Sequence, residues 1–190
     1  MTPYVSIDIE TTGLDPNTCQ ILEIGAVIDD WETPVDELPT FHCYVDNGQI
    51  TGSPYALSMH PTILRRIAIK EEGYQYLVPD DVPVTFLGWL MDKKVNPGLC
   101  PITCAGKNFA GFDRQFLERL TYWKDCVPTN YRSIAPGSMY WNPREDMNGP
   151  PATETCMERA GIQGPVTHAA VEDAIVVVKL IRAHFKDSHG

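Results

Sequence analysis

Between Val5 and Leu14 the chain reads V-S-I-D-I-E-T-T-G-L, and this stretch restricts the fold more than any other. Val5, Ile7 and Ile9 are β-branched, stiff at χ1 and suited to a pleated strand. Strand residues alternate faces, so Asp8 and Glu10 share the face opposite those apolar side chains. Two carboxylates held on one face raise each other's energy unless a cation lies between them, and a divalent metal is the usual solution. The same spacing also fits an ordinary edge strand with two solvated acids. Thr11-Thr12-Gly13 then ends the strand in a turn whose amides and hydroxyls are placed to meet a ligand.

A chain of 190 residues, 43% hydrophobic and 21% charged, can bury a full core and is read as one domain over residues 1–190. No window approaches the roughly eighteen apolar residues of a membrane span, and Met1-Thr2-Pro3-Tyr4 carries no basic or apolar leader. The expectation is therefore a soluble, cytoplasmic protein with no membrane partner. The six cysteines are scattered through apolar surroundings as reduced core residues. Cys100 and Cys104 are spaced C-x3-C, but no second pair follows at zinc-finger distance. A net charge of −10 excludes tight wrapping of long duplexes, whose phosphates demand a basic field. It is compatible with gripping a short end through metal ions set between carboxylates and phosphate.

Along the chain, Gln20 to Asp30 reads as a second strand and Phe41 to Val45 as a third, giving an antiparallel meander. Glu23, inside an otherwise apolar strand, is either a support for the first strand's acids or an outward-facing acid. Helical spacing takes over from Ser53 to Gly73, with Pro61 near a helix start and Ile63, Leu64, Ile67 and Ile69 on its apolar side. Arg65 and Arg66 there either touch phosphate or solvate the helix. A second helix is predicted over Asp81–Lys94, with Val84, Phe86, Leu87, Leu90 and Met91 inward.

Pro101 to Gly106 reads as a short apolar strand leading into Gly106-Lys107-Asn108. A phosphate-binding P-loop is excluded, because Pro101 and Asn108 stand where a glycine and a hydroxyl residue are required. The next run, F-A-G-F-D-R-Q-F-L-E-R-L, predicts a helix opening with Asp113 and turning Phe112, Phe116, Leu117 and Leu120 inward. Asp113 is either a helix-dipole partner or a further metal ligand. After a short strand near Arg132-Ser133-Ile134, the Pro- and Gly-rich segment to Pro151 is mostly loop, its aromatics free to stack on bases or to pin the loop. A small helix is expected over Ala152–Ala160. The last element is an apolar helix headed by His168, with Asp173 five residues on; the two act together only if His168 lies on the loop or first turn.

Taken in order, S-I-D-I-E-T-T-G-L at 6–14, I-L-E-I-G at 21–25, N-F-A-G-F-D-R-Q-F-L at 108–117 and H-A-A-V-E-D-A at 168–174 resemble the DEDDh (DnaQ-like) exonuclease family. The resemblance implies an α/β ribonuclease-H-like fold, a mixed five-stranded sheet flanked by helices. It implies that Asp8, Glu10, Asp113 and Asp173 bind two divalent ions, Mg2+ or Mn2+, and that His168 is the general base of a 3′–5′ exonuclease releasing 5′-mononucleotides. Thr11, Thr12, Gly13, Leu14 and Asn108 carry over as contacts to a single-stranded 3′ end of RNA or DNA, Leu14 as a wedge against a base. Within the family, D-R-Q-F-L and Y-R-S-I are most similar to the oligoribonuclease and ribonuclease T branch, whereas I-E-T-T-G-L is closer to polymerase proofreading subunits. A homodimer follows family habit. The competing readings are a proofreading subunit and a nucleic-acid-binding module of the same fold without turnover.

Overall fold

The computed structural model describes residues 1–164 and 169–187. Its sheet is built on the opening meander, β1 (Tyr4–Thr11), β2 (Ile21–Asp29) and β3 (Thr40–Val45), all antiparallel. The register sets Asp8 opposite Gly25 and Glu10 opposite Glu23, and it slips after Glu10, where Thr11 faces Ile21. This irregularity bends the strand away from its partner at the point where the acids stand, a common use of such bulges. Two short parallel strands complete the sheet: β4 (Tyr76–Leu77) beside β3 and β5 (Cys104–Ala105) beside β1, in the order β4-β3-β2-β1-β5. The fold is thus the mixed five-stranded α/β arrangement implied by the resemblance. The expected strand near Ile134 is a single parallel bridge to Ala105, and β4, too short to show an alternating pattern, takes the fifth place.

Eight helices follow the meander among the described residues: α1 (Pro54–Met59), α2 (Pro61–Ile69), α3 (Val82–Asp92), α4 (Asp113–Leu117), α5 (Trp123–Cys126), α6 (Pro136–Met139), α7 (Thr153–Arg159) and α8 (Ala170–Asp187). The helical stretch from Ser53 is two helices because Pro61 cannot continue the first and starts the second. On α2, Ile63 and Ile67 are buried while Ile69 is exposed. On α3 the predicted face shifts: Val82, Pro83, Phe86 and Leu90 are buried, and Val84 and Met91 face solvent. The helix is apolar almost all round, so composition could not choose the stripe that meets the sheet.

Each face of the sheet has its own layer. Val5, Ile7, Ile9, Ile24, Ala26, Ile28, Phe41 and Cys43 pack against Val82, Phe86 and Leu90 of α3 and against Phe116, Leu117 and Trp123. On the opposite face Tyr4, Val27 and Ala105 meet Ala174, Val177, Val178 and Ile181 of α8. Two polar contacts fasten α8 there. The Ser6 hydroxyl donates to the Ala174 carbonyl at 2.9 Å, and Arg182 Nε and Nη2 both donate to the fully buried Asp29 carboxylate. The bidentate geometry fixes both the position and the rotation of the helix. The Pro-rich segment is pinned by Tyr140, whose hydroxyl donates to the Leu180 carbonyl at 2.8 Å, and by Arg159, which donates to Asp146 at 2.6 Å. Tyr131 remains exposed. No described helix is long and apolar enough to cross a membrane, and all six cysteines are free thiols.

Candidate active site

The alternation of β1 puts Ser6, Asp8 and Glu10 on the face that α8 covers. Opposite Asp8, Gly25 leaves room for that helix: a Cβ there would overlap the carbonyl carbon of Ala170 and the amide nitrogen of Val171. The first turn of α8 therefore lies directly on β2, and Asp173, one turn along, comes down beside Asp8 and Glu10. One carboxylate oxygen from each of Asp8, Glu10 and Asp173 lies within 4.8 Å of the others. Three hard oxygen donors at that spacing, with Asp8 and Asp173 buried, fit a divalent cation. Asp113 stands at the first position of α4, also buried, outside that tightest group; its Oδ1 accepts the Ile9 amide at 3.2 Å. His168 lies outside the described residues.

Lys107 and His60 complete the immediate surroundings. Lys107 Nζ donates to Asp173 Oδ2 at 2.6 Å, and His60 Nε2 is 3.4 Å from Glu10 Oε2. Burial, then the charges of Asp113, Asp173 and Glu10, push the Asp8 carboxyl well above the usual range against the opposing pull of Lys107. Glu10 is pushed up to about 7, first by burial and then by Glu23 and Asp173. Asp113 rises to about 6 through burial, tempered by backbone amide bonds, that of Ile9 included, and by Lys107. For Lys107 itself, burial favours the neutral amine, but Asp8, the bond to Asp173 and Glu10 outweigh it and its ammonium is held above the ordinary value. A site with more carboxylates than nearby cations binds protons or metal ions.

Comparison with known proteins bears on the fold. Residues 5–77, which hold β1 to β4, match the family model RNase_T, described as Exonuclease. A moderately thermophilic Exonuclease I from Methylocaldum szegediense superposes with a TM-score of 0.69 at 16% identity over 98% of this chain. The chain shares the fold of this exonuclease. E. coli Exonuclease I, solved in complex with a 5cy-dT13 oligonucleotide, matches over 100% of the chain with a TM-score of 0.66 and 12% identity. The chain spans 41% of the length of each of these two structures. No curated protein matches.

The turn after β1 is held from within. Thr11 Oγ1 donates to the Gly13 carbonyl at 2.8 Å, and the fully buried Thr12 accepts the Gln20 amide on its hydroxyl at 2.9 Å. The Thr12 carbonyl takes the Ser53 amide at 2.8 Å, so this residue is committed to joining the turn to α1. A Cβ at Gly13 would lie 2.5 Å from Cys19 Sγ, which leaves glycine as the residue that fits. Leu14 projects from the turn, 85% exposed, and Asn108 is exposed before α4. Glu23 is not an outward acid: it is buried, with Oε1 2.6 Å from His42 Nε2. Arg66 donates to the Tyr44 hydroxyl at 2.7 Å and lies over the Tyr74 ring, and Arg65 pairs with Glu71. The contacts of Lys107, His60 and His42 were not anticipated, since each joins segments far apart in sequence.

These raised carboxyl pKa values set a pH dependence. A carboxyl whose folded pKa lies above its unfolded one binds protons preferentially when folded, so its stabilisation is complete below the unfolded value and is lost as pH rises through the folded value. For Glu10 that window runs from about 4.5 to about 7, worth on the order of 3 kcal/mol. The metal-free domain is expected to melt at a higher temperature at pH 5 than at pH 8, and added Mg2+ is expected to narrow the gap. Calorimetric scans in EDTA and in Mg2+ measure both effects; a metal-free melting point that rose toward pH 8 would refute the assignment.

Proposed function

We propose that this chain is a metal-dependent 3′–5′ exonuclease, one domain over residues 1–190, which removes 5′-mononucleotides from single-stranded nucleic acid. The observation that carries the reading is the convergence of Asp8, Glu10 and Asp173 oxygens within 4.8 Å on β1 and α8, in a chain whose residues 5–77 match an exonuclease family model. Asp8, Glu10, Asp113 and Asp173 would hold two Mg2+ or Mn2+ ions, which when bound supply Lewis-acid activation of water and neutralise charge on the phosphate. Asp113, braced by the Ile9 amide, keeps its carboxylate toward Asp8. His168, with an ordinary pKa of about 6.5, takes the proton of the attacking water near neutral pH. The Thr11–Leu14 turn and Asn108 grip the terminal nucleotide, and the exposed Leu14 packs on its base. A positively charged groove is unnecessary for such a substrate, because only an end is held.

Thr12 is fully buried and its amide and carbonyl are bonded to Gln20 and Ser53, so it would serve the substrate through the shape of the turn. Exonuclease I of E. coli was solved with a dT13 oligonucleotide, which favours DNA among the substrates tested first. The test is digestion of 5′-labelled single-stranded DNA and RNA, from dimers to twenty-mers, in Mg2+ or Mn2+. A ladder shortening from the 3′ end that vanishes in EDTA is the expected result. Retention of oligonucleotide on a gel without any shortening in either metal would replace this reading with that of a binding module.

A further inference from the structure

We propose that Lys107 is a tethered counter-ion of the carboxylate cluster, which competes with divalent cations for Asp173 and so raises the metal concentration at which the site fills. The proposal rests on the reading of Asp8, Glu10 and Asp173 as metal ligands. Its basis is where the chain puts the lysine. The residue before it, Gly106, runs so close to β1 that a Cβ would lie 2.9 Å from the Ile7 carbonyl oxygen and 2.9 Å from Phe109 Cβ. The Gly106 amide is fixed by the Ile134 carbonyl at 3.1 Å. The backbone of Lys107 therefore starts beside the strand end that carries Asp8, and its side chain spans from there to α8.

The ammonium ends 2.6 Å from Asp173 Oδ2, on a carboxylate 2% exposed, while the lysine side chain is 29% exposed. Among the described residues it is the one lysine or arginine paired with a carboxylate of the cluster. A structural ion pair inside a core would bury both partners. Here the acid is buried and the base is partly exposed on a flexible stem, so the ammonium can leave without dragging the backbone. A divalent ion among Asp8, Glu10 and Asp173 would sit next to that ammonium and repel it. Binding therefore includes breaking the Lys107–Asp173 bond and swinging the side chain outward. Without metal, the lysine supplies charge that the buried oxygens otherwise lack.

The test is Mn2+ titration of full-length wild type, Lys107→Met and Lys107→Arg by calorimetry, with melting temperatures in EDTA. Lys107→Met is expected to bind Mn2+ about tenfold more tightly, since one charge-assisted hydrogen bond no longer has to be broken. Its melting temperature in EDTA should fall by roughly 3–5 °C, and the rise on adding Mn2+ should exceed that of wild type. Lys107→Arg, which keeps the charge, should bind as wild type does. A lysine that merely packs would lower stability without tightening metal binding, so unchanged or weaker affinity in Lys107→Met overturns the proposal. Equal tightening in Lys107→Arg also overturns it, because charge would then not be the cause. If Lys107→Met does not fold, Lys107→Gln carries the same expectation. Failure of the wild type to bind Mn2+ at all would instead remove the metal-site reading on which the proposal stands.

Discussion

Asp8→Asn is expected to lower hydrolysis of a single-stranded oligonucleotide by at least about 10³-fold while leaving the domain folded. The substitution keeps the shape of the side chain and removes the charge that a cation needs at the centre of the cluster. It also removes the charge that Asp113, Asp173 and Glu10 repel. Loss of activity through misfolding would lower the melting temperature, whereas here the melting temperature in EDTA at pH 8 should stay level or rise by a few degrees. The stabilisation by Mg2+ should shrink at the same time, because binding to the folded state is what adds stability. Activity assays and paired melts in EDTA and Mg2+ separate the two causes. Full activity in Asp8→Asn would show that the cluster is not the reaction centre.

The meander was legible because β1 alternates β-branched and polar residues and β2 is a near-continuous apolar run bounded by turn residues, and the burial of Val5, Ile7 and Ile9 opposite Asp8 and Glu10 follows from the alternation alone. β5 lies inside the apolar run Pro101–Gly106 that reads as a strand, whereas β4, two residues long, holds too few positions for a pattern. The α3 face was misjudged for a related reason: Val84 and Met91 are as apolar as Phe86 and Leu90, and the sheet decides which of them it covers. In the site, the Asp8–Glu10 spacing was readable at once, since strand geometry fixes it locally. The placement of Asp173 beside them depends on Gly25 and on the seating of α8, which local sequence does not express. Glu23 was noticed as odd, yet its answer lay on the neighbouring strand, in His42.

Lys107 shows where sequence reasoning stops. Gly106-Lys107 does not meet the P-loop pattern, because Pro101 and Asn108 stand where a glycine and a hydroxyl residue are required. The glycine is there for close passage over β1, and the lysine is aimed at a carboxylate 66 positions later in the chain. A glycine followed by a lysine thus serves one purpose in the backbone and another in the charge balance of the site. The same balance explains the acidity of a protein read as handling phosphodiesters. Part of the net charge of −10 sits in a cluster that metal ions neutralise when the site is filled.

Gly25→Val is expected to cost more than any substitution of a single cluster residue, because it acts on the placement of a whole helix. Gly25 lies opposite Asp8 in the register, on the face toward α8, and a Cβ there would overlap backbone atoms of Ala170 and Val171. Backbone cannot yield as a flexible side chain does, so α8 must lift at its first turn or the strands must separate. Further along, α8 is anchored by Ser6 and by the Arg182–Asp29 pair, which resist a rigid shift. The helix would then pivot about those contacts, carrying Asp173 away from Asp8 and Glu10 while loosening Ala174 and Val177 from Tyr4 and Val27. The expected result is a loss of roughly 2–4 kcal/mol of stability in urea melts, together with loss of the Mg2+-induced rise in melting temperature. Thr12→Val serves as the comparison, since it also perturbs a buried contact near the site but leaves α8 in place. It should lose stability and keep a metal-induced shift. If Gly25→Val retained that shift in full, the seating of α8 on β2 would not be what gathers the carboxylates.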